Sequence, residues 1–335
     1  MKKNRLFPLC AIAVMVGTGL PSAAVFADVD PKMVDTFERV GGKFEGFRRS
    51  GAKGVCAVGE FVGSREARSL SVASAFSGKP MPVTMRFSIG GGNPKAPDNA
   101  KSQRNLALQF DLPDGEQWQM GNVSAPVFSA STPEQLLARL EALMPDPETK
   151  KPNPEKVKAF NEANPETTPQ GKHFASQPVP ASYGKVNYWG VHAFAFVDAN
   201  GNKHWGKWIF EPVGGTQGLS DDEAKAKGTD FLFDDLRQRV ATTGVAFDFN
   251  LQLAREGDKL DSAVSPLPDD RPKVTLGRLT VKSVSPDSSG PCVTTTFVPT
   301  NLPKGIAPSN DPMLAARAAP YVIGLGRRLS EGAKQ

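Results

Sequence analysis

Histidine, tyrosine and cysteine number only three each in this chain of 335 residues. The cysteines (Cys10, Cys56, Cys292) and histidines (His173, His192, His204) are too scattered for zinc-type spacing, and too few cysteines are present for a disulfide framework. The sequence also lacks a phosphate-binding loop, a Gly-x-Ser-x-Gly nucleophile elbow and a repeat of fixed period. Gly90-Gly91-Gly92-Asn93-Pro94 reads as a turn after a strand. No apolar run beyond residue 27 is long enough to cross a bilayer, so no membrane span is expected in the mature chain.

What is present begins with a secretory leader over residues 1–27. Lys2, Lys3 and Arg5 precede an apolar run from Leu6 to Leu20, and Val25-Phe26-Ala27 offers a small-residue cleavage site before Asp28. A membrane anchor is the competing reading, but Pro8, Gly17, Gly19 and Pro21 favour cleavage. Removing those three basic residues takes the net charge from +5 to +2, too weak a bias for nucleic-acid or membrane partners. A periplasmic location follows as an expectation. In such a compartment Cys56 and Cys292 can form a bridge, or each can serve as a small buried hydrophobe. Oligomeric state is not legible.

Strand-like alternation occurs at 54–61, 82–88, 106–111, 117–122, 188–198, 203–212, 245–254 and 273–283. Phe247, Phe249, Leu251 and Leu253 alternate with Asp248, Asn250 and Gln252, the period of a half-buried strand. Eight such segments predict a closed antiparallel barrel. Helical inserts are predicted at 65–76, 132–143, 221–243 and the C-terminus, while the Pro-, Lys-, Glu- and Asn-rich stretch 145–181 reads as a surface connection.

The C-terminal stretch is the most informative. Asp311-Pro312 is a helix start, an N-cap followed by a proline that fits the first turn. On a continuous helix Arg317, Tyr321 and Arg328 fall within roughly 40° of one another. Fixed positive charge beside a phenol favours the phenolate, a hard ligand suited to ferric iron. An ordinary amphipathic helix with Tyr321 in the core is the alternative. Asp-Pro-x-x-x-x-Arg-x-x-x-Tyr resembles the proximal haem motif of the catalase superfamily, and Leu302–Asp311 resembles its small bacterial catalase-related peroxidase branch.

That resemblance implies an α+β fold over residues 28–335: one minimal catalase-like domain, an eight-stranded antiparallel β-barrel with helical inserts and a C-terminal haem-ligand helix. It implies haem b as cofactor, with Tyr321 as axial iron ligand and Arg317 holding the phenolate. His192 and Asp311 would stand behind Arg317, and Arg48, Arg86 and Arg328 would hold the haem propionates. Taken alone, His192 reads as a core histidine and Asp311 as an N-cap. Pro320 predicts a kink just before the ligand.

On the distal side the match breaks. The catalytic histidine's position is Gly51 in Arg48-Arg49-Ser50-Gly51-Ala52-Lys53-Gly54, which removes a general acid–base group worth about two to four powers of ten. Asn122 takes the distal asparagine position in a register one residue longer than the pattern, and Ser88 loses its expected partner. Ser50, Ser88 or water is left to relay the proton. His173, in the polar connection, is expected at the surface, and His204 flanks a turn. The resemblance implies a peroxidase reducing hydrogen peroxide or an organic hydroperoxide with a small organic donor. A haem carrier or sensor and a secreted barrel binding another apolar ligand are the alternatives.

Overall fold

Apolar residues at every second position turn one face of each long strand inward, and the sheet closes on itself. The computed structural model describes residues 31–332. The predicted leader, residues 1–27, lies outside the described residues. The chain runs α1 (Lys32–Gly41), β1 (Gly54–Gly63), α2 (Arg65–Leu70), β2 (Met81–Ile89), β3 (Arg104–Asp111), β4 (Gln117–Val123), α3 (Pro133–Ala142), α4 (Pro154–Ala163) and α5 (Thr168–Ser176). It continues through β5 (Tyr188–Trp189), β6 (Phe194–Val197), β7 (Lys203–Pro212), α6 (Asp221–Lys227), α7 (Leu232–Thr242), β8 (Val245–Leu253), β9 (Lys273–Pro286), β10 (Ile306–Pro308), α8 (Pro312–Ala315) and α9 (Ala318–Gly332).

Strands β1, β2, β3, β4, β5, β7, β8 and β9 pair antiparallel in that order, and β9 returns to β1, giving an eight-stranded closed barrel. The β4–β5 seam is held by the single pair Val123–Trp189. β6 pairs instead with the start of β7 and with β10. Aromatic side chains fill the interior. Trp118 is fully buried among Phe76, Phe110, Phe196, Trp208 and Phe249, with ring centroids 5.5–6.3 Å away. Each fully buried side chain of this size contributes about 1.5–3 kcal/mol by leaving water, so this cluster adds substantially to the barrel's cohesion.

Several predicted segments divide where the backbone demands it. The 188–198 segment breaks at Gly190, where a Cβ would overlap the Trp208 indole, and residues 190–193 leave the ladder. The 65–76 helix ends at Leu70 and resumes as a short 3₁₀ turn, Ser74–Phe76. Gly228, at φ 78°, splits 221–243 into α6 and α7. The 145–181 connection is more ordered than its composition suggests: it folds α4 and α5, and Gln170 from α5 donates through Nε2 to Val127 O at 3.0 Å.

At the C-terminus the predicted single helix is two. α8 ends at Ala315, Arg317 lies in the turn, and α9 starts at Ala318. Pro320 therefore falls in the first turn of α9, where its missing N–H leaves no intrahelical bond unmade and forces no internal kink.

Candidate functional site

Residues directly opposite one another on neighbouring strands share a sheet face, and this rule locates the site. Across β2, β3 and β4, Phe87, Leu106 and Asn122 form one rung, whose Phe87 and Leu106 belong to the barrel core. The flanking rungs, Arg86–Ala107–Gly121 and Ser88–Asn105–Val123, turn to the outer face. Arg317 and Tyr321 lie over that face: a Cβ on Gly121 would sit 2.9 Å from Arg317 Nη2 and 3.6 Å from Tyr321 Oη.

The phenol ends a chain of four side chains. Asp311 Oδ2 accepts from His192 Nδ1 at 2.7 Å, His192 Nε2 accepts from Arg317 Nη1 at 3.3 Å, and Arg317 Nη2 donates to Tyr321 Oη. A carboxylate on one ring nitrogen and a guanidinium on the other fix a neutral imidazole protonated at Nδ1. Burial pushes the His192 pKa down to about 4, with the Arg317 charge adding and the Asp311 hydrogen bond opposing. Burial alone would raise Asp311, yet the bonds from His192 and from the Met313 and Leu314 amides hold it below the usual carboxylate range. Asp311 also caps α8 through Met313 N at 2.8 Å, so its cap and relay roles coexist on separate oxygens.

Arg48, Arg86 and Arg328 gather at the neighbouring edge. Arg48 Nη2 donates to Cys292 O and Thr295 O at 2.8 and 2.9 Å, and Arg328 Nη2 reaches Thr295 O at 3.3 Å. Arg86 binds Asp287 bidentately, both bonds at 2.7 Å. Burial and then the Arg86 and Arg328 charges push the Arg48 guanidinium down, opposed by Asp287 and Tyr321. Arg48 Nε is buried without a partner among the described residues. Such an orphaned donor beside further guanidinium groups fits an anionic ligand. Cys56 and Cys292 form a disulfide, tying the turn that holds Arg48 to β1, where Cys56 stands opposite Arg86.

The other side of this face lacks a titratable side chain at its centre. Gly51 is buried, at φ 64°, and a Cβ there would stand 2.9 Å from Ser88 Oγ. Ser88 accepts from Asn105 Nδ2 at 3.2 Å, and Asn105 Oδ1 accepts from Gln103 Nε2 at 2.5 Å. Ser88 has thus exchanged its expected histidine for an amide chain. The expectation for Asn122 is corrected. Its side chain points into the barrel, donating to Leu106 O at 2.9 Å and accepting from Trp208 Nε1 at 2.7 Å, and Val123 takes the outer-face position. Ser50 is solvent-exposed, which removes it as a buried relay. His173 is half-buried rather than free at the surface, bonded through Nε2 to Ser124 O at 3.1 Å, while His204 faces Asp198 at 3.2 Å.

Asp287, Asn105 and Gln103 were not singled out from the sequence. Asp287 sits in Ser285-Pro286-Asp287-Ser288-Ser289-Gly290, which reads only as a polar turn. An ion-pair cluster elsewhere in the chain is equally invisible in the sequence. Arg49 bridges Glu38 (2.6 Å) and Glu331 (2.5 Å), and Arg327 bridges Glu38 (3.0 Å) and Asp35 (2.6 Å), fastening α9 to α1 and to the loop before β1.

A family model described as Catalase matches residues 44–335. The chain is 38% identical over 331 residues to a catalase-related peroxidase of Synechococcus elongatus, covering 97% of this chain and 98% of that one. It is 32% identical over 293 residues to a catalase-related peroxidase of Mycolicibacterium paratuberculosis, covering 86% and 91%. Catalase A from Saccharomyces cerevisiae has the same fold, with a TM-score of 0.77 at 20% identity over 89% of this chain and 64% of that one.

Proposed function

This chain belongs to the catalase family, and on that premise we propose that it is a haem-dependent catalase-related peroxidase reducing hydrogen peroxide or an organic hydroperoxide with a small organic donor. The observation that carries the reading is the chain Asp311–His192–Arg317–Tyr321, ending in a phenol beside three gathered arginines. Tyr321 would hold the iron of haem b through its phenol oxygen. Arg317 donates a charged N–H to that oxygen, while neutral His192 and ionised Asp311 fix the guanidinium's orientation. Arg48, Arg86 and Arg328 would take the propionates, the buried Arg48 Nε gaining the partner it lacks. When bound, haem supplies the redox-active iron at which peroxide is reduced.

On the opposite side Ser88 offers a hydroxyl and Asn105 an amide, groups that orient a peroxide by hydrogen bonding but do not exchange protons as an imidazole does. Weak disproportionation of hydrogen peroxide follows, with slow peroxidation of a donor persisting through water. The Gly51 and Val123 positions also favour a second reading, a haem carrier or sensor. We propose a periplasmic location after leader cleavage; the Cys56–Cys292 disulfide supports an oxidising compartment.

A visible spectrum of the purified protein, taken before and after peroxide with and without a phenolic donor, tests these readings. Ferric-tyrosinate absorption with donor-dependent turnover is expected. Haem without turnover would favour the carrier, and failure to bind haem would overturn both.

A further inference from the structure

Arg48, Arg86 and Arg328 together carry three positive charges in a largely buried corner. Asp287 is the carboxylate set among them: it takes Nε and Nη2 of Arg86 in a two-bond fork, and Arg48 and Arg328 lie within electrostatic reach. Burial alone would raise the Asp287 pKa, and these guanidinium groups hold it below the ordinary carboxylate range. The turn that follows is covalently anchored. Gly290 adopts φ 78°, Pro291–Val293 forms a 3₁₀ turn, and Cys292 is bonded to Cys56 on β1.

Three buried cations without an anion would repel strongly, since an unpaired buried charge is costly. Asp287 lowers the cluster's charge to +2, the complement of a ligand with two carboxylates. It also occupies the two Arg86 donors that form the best carboxylate fork. The remaining edge of Arg86, Nη1, points toward Gly51, 3.5 Å from where a Cβ would be.

We propose that Asp287 is an internal carboxylate that stabilises the arginine cluster before haem binds and competes with a haem propionate for Arg86. The inference rests on the haem reading above. It assigns Asp287 a loading role: the protein folds and persists without cofactor, and propionate arrival exchanges one carboxylate for another at Arg86. The exchange breaks no covalent bond.

The test uses protein produced without added haem, titrated with metal-free protoporphyrin IX and with its dimethyl ester, and melted without ligand. Asp287→Asn should bind the diacid about tenfold more tightly, leave the ester's affinity unchanged, and lower the ligand-free melting temperature by about 5 °C. In an Arg86→Gln background the tenfold gain should vanish, because the contested group is gone. Asp287→Ser serves the same comparison if the asparagine variant does not fold. A loss of diacid affinity in the variant would show that Asp287 positions Arg86 for the ligand, and unchanged affinity would show no competition; either overturns the proposal while haem binding stands. If the native protein binds neither haem nor the diacid, the haem reading falls first, and this inference with it.

Discussion

The two sides of the outer-face site are built to different standards of chemical completeness. Under α8 and α9, carboxylate, imidazole, guanidinium and phenol are bonded in series, an order that fixes the imidazole proton on Nδ1. Across from it, the centre is glycine and valine, ringed by neutral amides, one hydroxyl and an edge of the Arg86 guanidinium. The first arrangement suits the proposed ligand: a phenol oxygen backed by a charged donor. The second shapes space without moving protons, so binding and turnover are separable in this protein in a way a complete acid–base pocket would not allow.

The comparison breaks most visibly at the phenol. Tyr321→Phe should abolish stoichiometric haem, read as loss of the Soret band in purified protein; an unchanged spectrum would remove Tyr321 as the ligand. Arg317→Leu should weaken haem binding by a smaller factor, about ten- to a hundredfold, because it removes a charge-assisted bond of roughly 1.5–3 kcal/mol and leaves the phenol in place.

A change on the opposite side should move rate and not affinity. A positioned base is worth about two powers of ten, but Gly51 is left-handed and a Cβ there meets Ser88 Oγ at 2.9 Å. A non-glycine residue in that conformation costs roughly 1–2 kcal/mol. Gly51→His alone should therefore raise the stopped-flow rate with peroxide about tenfold, and Gly51→His with Ser88→Ala about a hundredfold. A native rate already unaffected by both changes would reveal another proton route.

A structural position should behave unlike either side. Asn122→Ala leaves the Trp208 indole N–H and the Leu106 carbonyl without partners inside the barrel, costing about 1–3 kcal/mol by denaturant unfolding, while the peroxide rate stays within about twofold of native. A rate loss exceeding the stability effect would return Asn122 to the pocket.

The last effect is graded with pH. The unfolded chain takes up a proton on His192 near 6.5, and the folded protein only near 4, so acidification through that window favours unfolding and the contribution is complete above it. Stability should fall by roughly 2 kcal/mol between pH 7 and pH 4.5. His192→Gln should flatten that slope in denaturant melts at several pH values. An identical slope in the variant would place the titration elsewhere.

Much of this was legible because local pattern suffices for it. Period-two alternation in Phe247–Leu253 marks a strand wherever that strand ends up, and Asp311-Pro312 starts a helix through its own side chain and ring. Arg317 and Tyr321 stand close enough in sequence to meet whether the helix is continuous or broken between them. The orientation of Asn122 was not legible, because a one-residue difference in strand register decides which face it takes, and register is settled by pairing with β3 and by the Trp208 indole that claims its oxygen. Nor was Asp287, a turn residue until folding brings a strand more than 200 positions away to the same corner. By itself the sequence determined which side chains are available and which segments alternate or coil. Only tertiary structure decided which of them face one another, because the burial and charge that give Arg86, Asp287 and His192 their chemistry come from partners distant in the chain.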